Sequence, residues 1–251
     1  MIVSLNVKQN LISAERYIKK QLNEKFFTEN DLIVFQELPY RHGGKKTKRR
    51  EKFEGFLEKN ALELLESPFI PDGTDFQTAV VCKKGAYVRV KSYEDCLTVC
   101  FEEYCGRVIA VEKANAPDIR IIGVHMPTNG HSDYAATSCW DSLISLYKRF
   151  PKELPVICVG DFNTYEAGRI NKRRMYEFMS YGLVDFWLEK GHSHNRATFN
   201  SGARIDYALV TDKDYSALAE KYDMEVDDST REGDKPLSDH SAIILREKTK
   251  T

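Results

Sequence analysis

Residues 156–164 read Val-Ile-Cys-Val-Gly-Asp-Phe-Asn-Thr, and the reading of the whole chain turns on them. Val156–Val159 is a short, continuous apolar run, the pattern of a strand covered on both faces. Asp161 and Asn163 follow its end, two residues apart in extended chain and so able to point to one side. Strand ends and the loops after them are where a buried sheet offers functional groups to a ligand. The same arrangement recurs outward along the chain. Asn6 follows Ile2–Leu5, Glu37 follows Leu32–Phe35 in Phe-Gln-Glu, and His125 follows Ile121–Val124 in Gly-Val-His-Met-Pro-Thr-Asn. Asp206 stands in Arg-Ile-Asp-Tyr, and Asp239-His240 in Leu-Ser-Asp-His-Ser just before a final apolar run.

Helical periodicities lie between these runs. Ala14, Tyr17, Ile18, Leu22 and Phe26 mark one helix face, and Phe53, Phe56, Leu57, Ala61, Leu64 and Leu65 predict a second helix. Trp140, Leu143, Ile144 and Tyr147 give a third, ending near Pro151; Met175, Phe178 and Met179 give a fourth. Ala79–Cys82, Tyr87–Val90, Leu97–Phe101, Val108–Val111 and Ile119–Val124 come in quick succession, which predicts antiparallel hairpins and meanders. Short strands at Ile205–Val210 and Ala242–Leu245 close the chain. No repeat or low-complexity linker divides it. Residues 1–251 are therefore expected to form one α/β domain, with strands in two sheets and helices outside.

With 42% hydrophobic and 30% charged residues, the chain has the composition of a globular protein with a sizeable core. Lys plus Arg number 37 against 38 Asp plus Glu, a formal charge of −1, which excludes a protein held on nucleic acid by bulk charge. A local basic groove stays compatible with that balance. The N-terminus, Met1-Ile-Val-Ser-Leu-Asn-Val, has no basic segment followed by a long apolar stretch, so no secretory signal is expected. No apolar run approaches the ~20 residues that span a bilayer. Six cysteines (Cys82, Cys96, Cys100, Cys105, Cys139, Cys158) show neither CxxC pairs nor disulfide-framework spacing, which argues against zinc and for the reducing cytoplasm. No obligate protein partner is evident.

Glu37, Asp161, Asp206 and Asp239 offer hard oxygen ligands suited to Mg²⁺ or Mn²⁺. Asn side chains can hold a phosphate or a nucleophilic water, and two histidines can donate to a charged oxygen. Metal ligands and acid–base groups without a Ser or Cys nucleophile fit metal-assisted hydrolysis of a phosphate ester.

Six segments in order, Leu5-Asn6-Val7, Gln36-Glu37, Gly123-Val-His125-x-Pro127, Gly160-Asp161-Phe162-Asn163, Arg204-Ile205-Asp206-Tyr207 and Ser238-Asp239-His240, run from residue 5 to residue 240. Together they resemble the endonuclease/exonuclease/phosphatase superfamily, which shares the deoxyribonuclease I-like fold. The resemblance implies a four-layer α/β/β/α sandwich, two packed mixed β-sheets with helices on the outer faces. Gly106-Arg107-Val108-Ile109-Ala110, Met179-Ser-Tyr-Gly-Leu-Val-Asp185 and Arg196-Ala-Thr-Phe199 are most similar to the exonuclease III/AP-endonuclease branch. His125 departs from the Tyr usual in that branch and is similar to deoxyribonuclease I and the sphingomyelinases. Lys8 stands where the branch often has an acidic residue. Ala203, in a short loop, replaces a Trp that some AP endonucleases use to hold the abasic sugar.

The resemblance also implies roles. Glu37 would be the main Mg²⁺ ligand, with Mn²⁺ a possible substitute, and Asn6 and Asp239 would lie near the metal directly or through water. Asp161 would orient or deprotonate the attacking water, and Asn163 would hold the scissile phosphate. Asp206 would fix His240 in its protonated form on the phosphate, and His125 would donate to the phosphate or the leaving oxygen. Asn129 is a further candidate phosphate contact, with Thr128 competing for that aligned position. Lys45 and Arg49, in the basic run Lys45–Arg50, either grip a nucleic-acid backbone or belong to a solvated charge run leading into a helix. The implied activity is a Mg²⁺-dependent nuclease that cuts DNA phosphodiesters by in-line attack of water, leaving a 3′-hydroxyl and a 5′-phosphate. A phosphatase or phosphodiesterase on a lipid, inositol or other small phosphoester is the alternative. A non-catalytic module on this fold is disfavoured, because none of the metal or acid–base positions is lost.

Overall fold

The computed structural model describes residues 1–24, 27–40, 45–68, 70, 75–92, 94, 97, 106–128, 133–165 and 169–248. Asn129, Cys96, Cys100, Cys105 and residues 98–101 of one expected strand lie outside them. Among the described residues the strands are β1 (Ile2–Asn6), β2 (Leu32–Pro39), β3 (Leu62–Glu66), β4 (Phe76–Lys83), β5 (Tyr87–Arg89), β6 (Val108–Lys113), β7 (Arg120–His125), β8 (Val156–Asp161), β9 (Leu183–Asp185), β10 (Asp206–Thr211), β11 (Tyr222–Asp227) and β12 (Ala242–Glu247). The helices are α1 (Leu11–Asn23), α2 (Lys48–Lys59), α3 (Asp133–Arg149), α4 (Ile170–Met179), α5 (Phe186–Glu189) and α6 (Tyr215–Lys221).

Two six-stranded mixed sheets result, in the orders β11-β12-β1-β2-β4-β3 and β5-β6-β7-β8-β10-β9. Each holds one parallel pair, β1 with β2 and β7 with β8, and antiparallel strands elsewhere. A parallel pair needs a crossover connection, and α1 and α3 provide them. Because the two sheets repeat this plan, the C-terminal ends of β1, β2, β7 and β8 gather at one rim of the sandwich.

Side-chain alternation explains why these strands read as unbroken apolar runs. Leu32 and Val34 face inward against Val80, Ile109, Ile121 and Val159 between the sheets. Ile33 and Phe35 face outward with Val3 and Leu5, covered by Tyr17 and Ile18 of α1 and Phe53 and Leu57 of α2. Ile122, Cys158 and Leu209 on the far side of the second sheet meet Trp140, Leu143 and Tyr147 of α3 and Phe178 of α4. The order of layers is α/β/β/α, as the resemblance implies.

One expected helix is divided. The periodicity over Phe53–Leu65 continues past the helix, but α2 stops at Lys59, and the turn at Asn60 and Ala61, with Ala61 at φ +53°, leads into β3. Leu64 and Leu65 are strand residues paired with Val81 and Val80 of β4. Apolar residues at such short spacing fit either period, and the free edge of β4 decides between them. β9, β11, α5 and α6 were not expected from the sequence. For β11 the alternation Tyr-Asp-Met-Glu-Val-Asp carries the strand period plainly.

Candidate active site

Strand register builds the centre of the rim. His125 is aligned with Asp161 across the parallel β7–β8 pair, and Asp206 with Asp161 across the antiparallel β8–β10 pair. Gly160 precedes Asp161 because a Cβ there would lie 1.9 Å from the Val124 carbonyl oxygen. On the facing sheet, pairing between β2 and β4 slips between Phe35 and Leu38, and Glu37 adopts φ +51° at that irregularity. Such a break re-aims a side chain, and here it turns Glu37 toward the rim.

Hydrogen bonds then lock the groups together. Asn6 Nδ2 donates to Glu37 Oε1 at 3.2 Å and to Asp161 Oδ2 at 3.1 Å, while its Oδ1 accepts from the Lys8 backbone N–H at 2.9 Å. Asn6 thus offers its amide nitrogen, not its oxygen, to the carboxylates. The Asn163 backbone N–H donates to Asp161 Oδ1 at 2.9 Å, which its φ of +50° allows. Asn163 Nδ2 donates to the Met126 carbonyl at 2.6 Å. Asn171 of α4 bridges the Pro127 and Asn163 carbonyls at 2.7 and 3.1 Å, and the buried Trp140 indole N–H holds Asn171 at 3.0 Å. The Ser238 hydroxyl donates to the Asn6 carbonyl and accepts from the His240 N–H at 3.1 Å, which ties the two chain ends of the site together.

His240 Nδ1 lies 3.0 Å from Asp206 Oδ2, and its Nε2 lies 3.9 Å from both Asp161 Oδ2 and Asp239 Oδ1. Burial alone would lower the imidazole pKa; the charge and hydrogen bond of Asp206, with Asp161 and Asp239 behind them, raise it to about 9. Burial pushes the Asp161 carboxyl up to about 7, reinforced by Asp206 and opposed by His240, the Asn163 N–H and Asn6. His125 Nε2 stands 3.6 Å from Glu37 Oε1 and 3.8 Å from Asp161 Oδ2. Lys8 reaches Asp239 at 2.9 Å, and that contact raises the ammonium pKa.

One ligand atom each from Asp161, Asp206 and His240 lies within 4.8 Å of the others, and Glu37 and Asp239 flank this group. Burial, and then the neighbouring Asp206 carboxylate, disfavours negative charge on Asp161, and a divalent cation offsets that cost. Their oxygens suit a hard cation better than zinc. The residues present therefore fit a divalent metal.

Asn6, Glu37, His125, Asp161, Asn163, Asp206, Asp239 and His240 meet at this rim. Asn129 lies outside the described residues. Arg49 is paired with Glu15 at 2.6 Å, Lys46 with Glu54 at 3.0 Å, and the buried Arg50 with Glu54 and Glu66. Lys45 and Lys48 of that run are exposed and have no ion pair among the described residues. Arg107, Tyr165, Asn171 and Thr198 carry no role in the sequence reading, although Arg107 and Thr198 lie in segments that bear the resemblance. Arg107 Nη1 lies 3.1 Å from His125 Nδ1. Thr198 Oγ1 accepts from the Asp206 N–H at 3.1 Å. Tyr165 meets Phe199 edge-on at 5.6 Å, and Phe199 lies 4.8 Å from the His240 ring. Burial, then the charges of Asp161, Asp206, Asp239 and Glu37, holds the Tyr165 phenol well above its ordinary range. Tyr165 stands two residues after Asn163, a placement that could have been read; Asn171 and Thr198 act through hydrogen bonds to backbone groups that spacing does not reveal.

A two-sheet sandwich with carboxylates, histidines and asparagines gathered on one rim defines a class of enzymes that hydrolyse phosphoester bonds. The chain belongs to the Endonuclease/Exonuclease/phosphatase family, whose model matches residues 4–240. It is similar in fold to an AP endonuclease from Archaeoglobus fulgidus, at 18% identity, TM-score 0.68 and 99% coverage of both chains. It is likewise similar to the TDP2 of D. rerio solved with a single-strand DNA product, at 18% identity and TM-score 0.63, covering 97% of this chain and 96% of that one. A stretch of 117 residues is 27% identical to the cellulase/esterase CelE of Acetivibrio thermocellus, which takes in 44% of this chain and 14% of that protein. No helix among the described residues is long and apolar enough to cross a membrane.

Proposed function

We propose that this chain is a divalent-metal-dependent phosphodiesterase that cuts DNA, with Mg²⁺ as the cation and Mn²⁺ able to replace it. The observation that carries the reading is the convergence, from both sheets, of Asp161 and the His240–Asp206 pair with Glu37 and Asp239. Glu37 and Asp239 would hold the cation, with Asn6 near it directly or through water while its amide nitrogen steers Glu37 and Asp161. When bound there, the cation neutralises charge on the phosphate. Asp161, held in place by Asn6 and by the Asn163 N–H, accepts the proton of the attacking water. His240, kept as imidazolium by Asp206, binds a phosphate oxygen whose charge grows in the transition state. His125 donates to a phosphate oxygen or to the leaving group, and Asn163 holds the phosphate.

DNA as the substrate is supported by the fold likeness to the AP endonuclease and to the DNA-bound TDP2. Exposed Lys45 and Lys48 supply free cations near α2 for a backbone. The same reading takes residues 1–251 as one domain working in the cytoplasm, in keeping with the buried thiols of Cys82 and Cys158.

The test is nicking of supercoiled plasmid with and without Mg²⁺, with Asp161→Asn as control and an abasic-site duplex alongside. Metal-dependent nicking that the variant loses is the expected result, and the duplex measures any preference for abasic sites. No cleavage of either DNA, with Mn²⁺ also tried, would overturn the DNA reading and move the substrate to a small or lipid phosphoester.

A further inference from the structure

The basic run Lys172-Arg173-Arg174 lies in the first half of α4, and the structure divides it. Arg174 is paired with Asp141 and with Glu177, the one acidic residue of the helix. Lys172 and Arg173 have no ion pair among the described residues, and Arg173 is exposed. One charge of the run is therefore neutralised within the fold and two are not.

Lys172 is nevertheless held in place. Its Nζ donates to the Tyr207 hydroxyl at 3.1 Å and lies over two rings, 5.3 Å from the Tyr176 centroid and 5.4 Å from that of Tyr207. The Tyr207 hydroxyl also accepts from Thr164 Oγ1 at 3.1 Å and donates to the Arg204 carbonyl at 2.9 Å, so the oxygen that anchors Lys172 is itself fixed. Arg204 stands over the same Tyr207 ring at 4.5 Å, but Asp185 balances its charge. Nothing among the described residues balances Lys172. Ring faces attract an ammonium without cancelling its charge, and an ammonium has three N–H donors, of which Tyr207 takes one.

The position of this cation gives it a use. Thr164, which shares the Tyr207 hydroxyl with Lys172, directly follows Asn163. Asn171, the residue before Lys172, donates to the Asn163 carbonyl at 3.1 Å and to the Pro127 carbonyl at 2.7 Å. The ammonium is thus tied on two sides to the loop that carries Asn163. A DNA strand carries further phosphates on either side of the bond being cut, and lysine binds phosphate as a point charge.

We propose that Lys172 binds a backbone phosphate flanking the scissile one, so that the exposed side of the first turns of α4 is part of the DNA path. Arg173 adds charge on that side. The proposal rests on the reading of this chain as a DNA phosphodiesterase and adds to it the side of the rim along which the strand runs.

The test is binding of a fluorescent DNA duplex, with Mg²⁺, over a series of KCl concentrations, in an Asp161→Asn background that leaves the duplex uncut. Lys172→Gln should lower the slope of log Kd against log salt by about 0.9, the value of one phosphate contact, and weaken binding about tenfold at 0.1 M KCl. Lys172→Arg should keep the slope. Lys213→Gln, past the far end of β10, is the control for loss of one exposed charge and should keep it too. In chains that retain Asp161, Lys172→Gln should reduce kcat/KM on the duplex about tenfold more than on bis(p-nitrophenyl) phosphate, a diester with no flanking phosphate. A Lys172→Gln slope equal to that of its parent or of Lys213→Gln overturns the proposal. So does an equal loss of kcat/KM on the duplex and the small diester, which would put Lys172 at the scissile phosphate or in the scaffold of the site. Binding with an unchanged slope strikes this proposal alone; absence of both DNA binding and DNA cleavage strikes the functional reading and the proposal with it.

Discussion

Asp161 and His240 stand 3.9 Å apart with opposite protonation tendencies. Burial favours the neutral acid in Asp161 up to about 7, and Asp206 favours imidazolium in His240 up to about 9. Catalysis as proposed needs the carboxylate and the imidazolium together, so kcat/KM should rise as Asp161 ionises and fall as His240 loses its proton. A profile flat across both values would count against these two roles. The same shifts enter stability with signs that can be worked out. The folded chain binds the Asp161 proton more tightly than the unfolded chain does, so stability falls as pH climbs from 3.8 toward about 7. The His240 contribution is complete below 6.5 and is lost as pH rises through about 9. Asp161→Asn removes the first slope. Urea melts with chelator present should show the variant more stable than wild type at about pH 8, while turnover drops roughly 10³-fold. A less stable Asp161→Asn would mean that its bonds to Asn6 and the Asn163 N–H outweigh the relief of a buried charge.

The strands were legible wherever both faces are buried, because an unbroken apolar run ending in a polar residue leaves little else to read. The β8 run and its Asp161-Phe162-Asn163 ending are the clearest case. β3 was not legible: Leu64 and Leu65 continue the α2 pattern, and only the edge of β4 makes them a strand. Two glycines show how tightly these strands are set. A Cβ on Gly123 would lie 2.4 Å from Val34 Cγ1 across the sheet interface, so Gly123→Ala should cost about 1–3 kcal/mol, with Val34→Ala restoring part of it. A double-mutant cycle by thermal melting measures that coupling, and strict additivity would argue against this close approach. Gly160→Ala meets a backbone oxygen instead, which cannot turn aside. Its cost should be about 3 kcal/mol or more, with activity lost because Asp161 moves.

The molecule as a whole brings acidic groups from both sheets to one rim, and a cation bound there stabilises only the folded chain. Mg²⁺ at a hundredfold excess over its Kd should add about 2.7 kcal/mol to the unfolding free energy. Chelator should remove both that gain and the activity, and Glu37→Gln should blunt the rise in Tm. A Tm indifferent to Mg²⁺ would count against the ligand set. The local pattern of the sequence sufficed for the kinds of groups present and for their place at strand ends, since apolar runs and the residues that stop them are read within a few positions. Only the tertiary structure decided their partners. Asn6 and Asp161 are 155 residues apart, yet share a hydrogen bond. Arg107 meets His125 Nδ1 through the β6–β7 register, and Asp206 raises His240 through the β10 register. Protonation depends on burial and on charges a few ångströms away, and neither distance is written in sequence spacing.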